Sequence, residues 1–245
     1  MITENKTRIT QNNREASRRG TWLRNWDTTS AYDFLMRAAT ATTYAFLVGV
    51  QGRTLFAVAD APRTDGRDVL FATDIAAKVS VILLLALFIV MVVIRMRPIA
   101  KAGGIEPRLS ALIGSFLTMG LLFCPGIPLP AGANIASVVL ILSGETLAIY
   151  VLFRLGRSFS LMAEARRLIT DGPYARIRHP LYLAEEIAVL GVYMQHIAPA
   201  ATVLLIVHFA FQLRRMMNEE RVLLSAFPEY AAYAAQTPRL IPGIF

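Results

Sequence analysis

From Val79 to Ile94 the chain reads VSVILLLALFIVMVVI, a run without charge closed by Lys78 and Arg95. With the residues just before it, the segment 75–94 is long enough to cross a bilayer core of about 30 Å, which takes about 20 residues. Lipid offers no partner for backbone N–H and C=O groups, so such a segment must be a helix. Five further apolar segments follow the same logic: 38–59, interrupted by Arg53, then 109–124, 131–153, 181–198 and 200–217, the last two meeting at Pro199. Over the whole chain 55% of residues are hydrophobic, above the ~45–50% usual for soluble domains. These features predict an all-α integral membrane protein of about six transmembrane helices. The last two should form a tight hairpin turning at HIAPAA, followed by a cytoplasmic C-terminal helical cap.

Charge orders the segments. The net charge of +8 invites a nucleic-acid reading, but its distribution fits membrane topology better. Basic excess in 1–37, 95–108, 154–180 and the tail from Arg214 alternates with the balanced 53–78 loop and the uncharged 124–132 loop. Under the positive-inside rule both termini lie in the cytoplasm of a cell (inner) membrane protein. The expected organisation is a polar, interfacial arm over 1–37, with Trp22 and Trp26 as possible anchors, a four-helix transmembrane region over 38–153, and a functional region over 154–245. The arm lacks the apolar core and small-residue cleavage site of a secretory signal. A lone cysteine, Cys124, and three scattered histidines predict no disulfide and no metal site.

Acids inside apolar runs are costly and usually face a partner or a cavity. There are three: Glu145 in the fourth segment, and Glu185 and Glu186 at the cytoplasmic end of the fifth. Glu145 reads as a glutamate hydrogen-bonded between helices, and Glu185 and Glu186 as interface acids compensated by Arg176 or Arg178. His196 and His208 read as structural. Two polar clusters stand out beyond these. The first is DGPYARIRHPLYLAEE, residues 171–186. The second is the tail LRRMMNEERVLLSAFPEYAAYAAQTPRLIPGIF, in which Arg215 and Glu219 are spaced i, i+4 and so share a helix face. By spacing alone that pair is a surface salt bridge. Leu223, Leu224 and Phe227 should hold the helix against the membrane face, and TPRLIP should be extended because of its prolines.

The two clusters in this order, with an apolar hairpin between them, resemble the isoprenylcysteine carboxyl methyltransferase family over about residues 154–245. The resemblance rests on GPY, then RHPLY, then NEERVLL, Phe227, Tyr230, Tyr233 and a closing Ile-Pro. It implies an integral membrane enzyme that uses S-adenosylmethionine. By it, Gly172, Pro173, Tyr174, Arg178, His179, Pro180 and Tyr182 match a cofactor-binding motif, and Glu219 and Glu220 match an acidic pair. Arg215 matches an arginine placed near the reacting carboxylate, with Glu219 holding Arg215 or the cofactor. The sequence departs from the family pattern at Ala175, at LAEE after Tyr182, and in the Phe227–Tyr230 spacing, and these departures bear on the acceptor.

The chemistry agrees. AGGIEP, residues 102–107, has neither a preceding strand nor a βαβ pattern, so a Rossmann-type site is excluded. Arg178 or His179 suits the cofactor carboxylate. Glu219 or Glu220 suits ribose hydroxyls or the ammonium, and Tyr174 or Tyr182 suits adenine or the sulfonium. The acceptor expected is a lipophilic small molecule, entering sideways from the membrane lipid and bearing a carboxylate, as isoprenylcysteine does. An amine acceptor, as in a phospholipid N-methyltransferase, would need a base from Glu185, Glu186 or Glu220. An NADPH-dependent reductase of an unsaturated lipid is the alternative enzyme, with Arg166 and Arg167 for a 2′-phosphate. A transporter would rest on Glu145 alone. No nucleic acid and no metal partner is expected.

Overall fold

The computed structural model describes residues 31–60, Tyr32 aside, and 68–242; the arm with Trp22 and Trp26 lies outside the described residues. Two compact units result, Met1–Thr43 and Tyr44–Phe245. In the first, residues 33–43 are helical, so helix begins inside the stretch expected to be a polar arm. Asp33 and Arg37 pair there at 2.7 Å, one turn apart.

The second unit is mostly helical. It contains α1 (44–59), α2 (Asp68–Ile94), α3 (Glu106–Phe116), α4 (Ala131–Leu155), α5 (Pro180–Met194), α6 (Pro199–Ala226) and α7 (Tyr230–Gln236). Among the described residues three helices are long and apolar enough to cross a membrane: Phe71–Ile94, Ala131–Ser158 and Pro199–Ala226. The other expected spans take different forms. Arg53 lies exposed on α1 and does not interrupt it. The third apolar segment is α3 followed by a 3₁₀ stretch, Leu117–Phe123. α5 has 15 residues, about 22 Å at 1.5 Å per residue, short of the apolar core.

The core is built where α1, α2 and α4 meet. Tyr44 stacks on Phe88 with centroids 5.2 Å apart, and Met91, Val92, Val151, Leu152 and Phe159 close around them. The Glu145 carboxylate on α4 accepts a hydrogen bond from the Ser80 hydroxyl on α2, the interhelical role expected of it. α5 leads into α6 through a short turn, yet its backbone fits most closely against α4 rather than α6. A Cβ on Gly144 would lie 2.5 Å from the amide nitrogen of Ala188, and one on Gly191 would lie 2.7 Å from the carbonyl oxygen of Ser137. The Ser137 hydroxyl donates to the Gly191 carbonyl across the same seam. Small residues let two helices approach in lipid in this way. The pair α5–α6 meets instead through side chains, Tyr193 with Thr202 and Gln212 with Glu185 among them.

At one end the loops are stitched together. Two-residue strands β1 (Ala100–Lys101) and β2 (Glu164–Ala165) pair antiparallel. Thus a strand does precede Ala102–Gly104, though without any βαβ unit. The C-terminal part of α6 packs on this patch: Val222, Leu223 and Phe227 lie against Ala163, Ala165 and Ala100. Leu223 and Phe227 therefore contact protein rather than a membrane face, while Leu224 is exposed.

Candidate active site

The site begins where RHP starts a helix. Pro180 occupies the first turn of α5, where a missing N–H costs nothing. The two residues before it turn their own amides outward: Arg178 N–H donates to the Pro238 carbonyl at 2.8 Å, and His179 N–H to that of Arg239 at 3.1 Å. The segment expected to be extended by its prolines is thus a strap laid across the start of α5. Ahead of it, Gly172 has φ +60, and a Cβ there would meet Arg154 Nε at 2.9 Å. Glycine serves both needs, and Arg154 passes over it to reach Asp171 at 2.6 Å. Gly172–Ala175 then form a 3₁₀ turn that sets Tyr174, whose carbonyl accepts from the Tyr233 hydroxyl at 2.6 Å.

Glu220 joins the two clusters. Its Oε1 accepts from His179 Nε2 at 3.0 Å and Arg239 Nε at 2.9 Å and forms an ion pair with Arg178 Nη1 at 2.9 Å, and its Oε2 accepts from Arg239 Nη2 at 2.8 Å. Glu219 is held by the Tyr182 hydroxyl at 2.8 Å. The Tyr182 ring lies edge-on to His179, with centroids 5.2 Å apart, and the Arg215 guanidinium sits 4.9 Å over that ring. The hydrogen bonds to Glu220 hold the Arg239 guanidinium even more firmly protonated than usual. Burial pushes the Tyr233 phenol up to about 12 and raises Tyr174 as well, so both stay neutral hydrogen-bonding groups at ordinary pH.

Arg215 behaves differently from the expectation. Glu219 is not its partner: its Nη2 donates to the Leu161 carbonyl at 3.1 Å and its Nη1 to Gln212 Oε1 at 3.3 Å, with Glu185 Oε2 3.9 Å away. Only 5% of Arg215 is exposed, so the surface salt bridge read from the i, i+4 spacing is replaced by buried contacts between elements. Tertiary acceptors within reach outweigh a helix neighbour whose carboxylate already has a donor.

These groups line an open cleft walled by Leu155, Phe159 and Leu181 and carrying Tyr174, Arg178, His179, Tyr182, Glu185, Arg215 and Glu219. It adjoins a second hollow reaching Tyr230 and Tyr233, with Tyr174, Arg178 and Glu219 among the residues common to both. Of the residues singled out from sequence, Gly172, Pro173 and Pro180 shape the backbone, Glu220 braces the wall, and the others face the space. Glu186 turns away and pairs with His208 at 2.9 Å, both buried. Among the described residues no three His, Cys, Asp or Glu side chains converge on a point where a metal ion would sit.

Sequence reasoning missed Arg239, whose only signal is a basic residue between Pro238 and Pro242. It also missed Glu164, which lines the cleft while accepting from Ser160 and Arg166. Arg166, considered for a 2′-phosphate, is committed to Glu164 at 2.6 Å and to the Met96 carbonyl at 2.7 Å.

Comparison with known proteins bears on this region. Residues 137–225 match the model of the isoprenylcysteine carboxyl methyltransferase (ICMT) family. The cobalt-zinc-cadmium resistance protein CzcN of Cupriavidus metallidurans is 41% identical over 78 residues, 31% of this chain and 36% of that protein. The protein-S-isoprenylcysteine O-methyltransferase of Schizosaccharomyces pombe is 34% identical over 108 residues, 41% of this chain and 46% of that one. The matches thus span less than half the length of either relative. A solved structure of the eukaryotic intramembrane Ras methyltransferase ICMT superposes with a TM-score of 0.51 at 21% identity, covering 81% of this chain and 73% of that one. At that identity the likeness is one of fold.

Proposed function

We propose that the chain, whose residues 137–225 match the isoprenylcysteine carboxyl methyltransferase family model, is a member of that family and transfers a methyl group from S-adenosylmethionine to the carboxylate of a lipophilic, isoprenylcysteine-like acceptor. The observation that carries the proposal is the meeting of the two sequence clusters at Glu220 and Glu219, beside one cleft. In this reading both termini and the mouth of the cleft face the cytoplasm, the side to which the positive-inside rule assigns the basic loops 95–108 and 154–180 and the tail.

The residues present suit the cofactor. It carries a carboxylate, an ammonium, ribose hydroxyls and a cationic sulfur, and the cleft offers guanidinium, imidazole, phenol and carboxylate groups. Arg178 Nε is buried without an acceptor, a donor in want of an anionic or carbonyl oxygen. When bound, S-adenosylmethionine supplies a methyl group on a sulfonium, whose carbon–sulfur electron pair returns to sulfur as an acceptor oxygen takes the methyl.

The chain's own residues then do positioning work. Arg178 and His179, fixed by Glu220, take the cofactor's anionic end, and Glu219 takes hydroxyl or ammonium donors with the oxygen that Tyr182 leaves free. Tyr174 and Tyr182 provide ring faces. Arg215 orients the acceptor carboxylate, with Glu219 one turn beyond it. A carboxylate nucleophile needs no base, so rate comes from alignment and exclusion of water. The apolar walls serve the second need and admit the acceptor's tail from lipid.

Calorimetric titration with S-adenosylhomocysteine tests this. The wild-type protein should bind it, and His179→Ala and Glu220→Gln should weaken binding at least about tenfold, as expected for loss of charge-assisted hydrogen bonds. Binding of NADPH with no binding of S-adenosylhomocysteine would end the proposal in favour of a reductase.

A further inference from the structure

Glu185 has no task in the scheme above, yet it sits in the cleft wall beside Arg215. The other acids are engaged elsewhere. Glu220 is saturated by His179, Arg178 and Arg239. Glu186 is closed off by His208. Glu164 holds Ser160 and Arg166. Glu219 stands on the Tyr182 side of the space. Glu185 is tethered by one oxygen only: Gln212 Nε2 donates to its Oε2 at 3.2 Å, and Arg215 Nη1 stands 3.9 Å from the same atom, beyond hydrogen-bond reach. Its side chain keeps 24% of its surface exposed to the cleft. Arg215, for its part, has a buried Nε–H that meets no acceptor. Gln212 bridges the two, accepting from Arg215 through Oε1 and donating to Glu185 through Nε2, so their separation is fixed.

A fixed cation and a fixed anion a few ångströms apart, each with capacity left over, recognise a molecule whose own charges stand the same distance apart. A lone carboxylate would gain Arg215 and suffer Glu185. An α-amino acid would satisfy both, its carboxylate at Arg215 and its ammonium at Glu185. Resting on the methyltransferase reading above, we propose that the acceptor is a zwitterion: a free S-alkylated cysteine or similar lipophilic amino acid with an ionised α-amino group, selected by Glu185. A cysteine at the end of a peptide has an uncharged amide at that position and leaves Glu185 without its counterion. Methyl transfer itself is unchanged, since the new C–O bond forms at the carboxylate oxygen and the ammonium keeps all its protons.

The test compares S-farnesylcysteine with N-acetyl-S-farnesylcysteine as acceptors for the purified full-length protein in detergent. The wild type should favour the free amino acid by about tenfold or more in kcat/KM, the range expected for one charge-assisted contact. Glu185→Gln should erase that preference, mainly by raising KM for the free amino acid, and Glu185→Asp should restore part of it. Damage to the fold lowers both acceptors together and leaves the ratio standing, so the ratio isolates the role. Equal use of both compounds by the wild type, or the same ratio in Glu185→Gln, overturns the proposal. So does methylation of neither compound by protein that binds S-adenosylhomocysteine, an outcome that spares the cofactor reading. Failure to bind S-adenosylhomocysteine at all is the separate outcome that removes the methyltransferase reading itself.

Discussion

Two buried glutamates on neighbouring parts of this molecule live in opposite surroundings. Glu145, on α4, meets one hydroxyl, that of Ser80, within an otherwise apolar seam. Glu220, near the end of α6, meets an imidazole and two guanidiniums drawn from two separate stretches of chain, 178–179 and Arg239. The first arrangement satisfies an isolated group and little more. The second needs four long side chains to agree on a position, and each link fixes the others. A chain that spends so much order at one point does so where geometry matters, which is why the α5–α6 lip, and not the α2–α4 seam, carries the functional argument.

The contrast can be broken by substitution. Glu220→Ala should have the largest effect, because it strands several buried cationic groups. We expect a loss of about 3–5 kcal/mol, seen as a large drop in melting temperature in detergent, together with loss of S-adenosylhomocysteine binding. Gly144→Ala comes next. Its Cβ collides with backbone atoms of Ala184 and Ala188, and overpacking of this kind costs about 1–3 kcal/mol. Because α5 carries Tyr182 and Glu185, the displacement should also reach the cleft and weaken binding, which calorimetry on the same variant would read. Glu145→Gln should be milder, costing about 1 kcal/mol or less and leaving S-adenosylhomocysteine affinity as in the wild type. The reverse order, with Glu145→Gln abolishing function and His179→Ala harmless, would point to transport.

The smallest effect belongs to Arg214→Ala. Arg214 pairs with Glu106 at 2.6 Å, and both side chains are more than 40% exposed, so the loss should stay under about 0.5 kcal/mol. The Arg214 hydrogen bond holds the Glu106 carboxyl below its ordinary pKa. The folded protein therefore takes up that proton less readily than the unfolded chain. Whatever stability the pair gives is complete above the unfolded carboxylate range and fades as pH falls through the lowered value. Melting curves taken from neutral pH down through the carboxylate range should show this slope in the wild type and a smaller one in Arg214→Ala.

The convergence of the two clusters was legible because each carries its own chemistry: RHP at a helix start, and paired acids on the helix that returns. The long helices were legible from apolar length alone. Other features had no such mark. Gly144 and Gly191 look like incidental glycines in apolar runs, so nothing in them says that α5 leans on α4 more closely than on α6. The i, i+4 rule pointed Arg215 at Glu219, but Gln212 stands one turn back on the same helix and the Leu161 carbonyl is brought to it only by folding. Arg239 is silent in sequence for the same reason: its value depends on a strap whose path is set by backbone hydrogen bonds to Arg178 and His179.

That strap has a consequence for biogenesis. The anion that braces the cleft wall is synthesised before one of its guanidinium partners, Arg239, and the amides of Arg178 and His179 wait for carbonyls of the same late stretch. Until the tail is made, the acid on α6 lacks Arg239 and the start of α5 lacks its strap, so this corner of the molecule can be completed only after α6 exists.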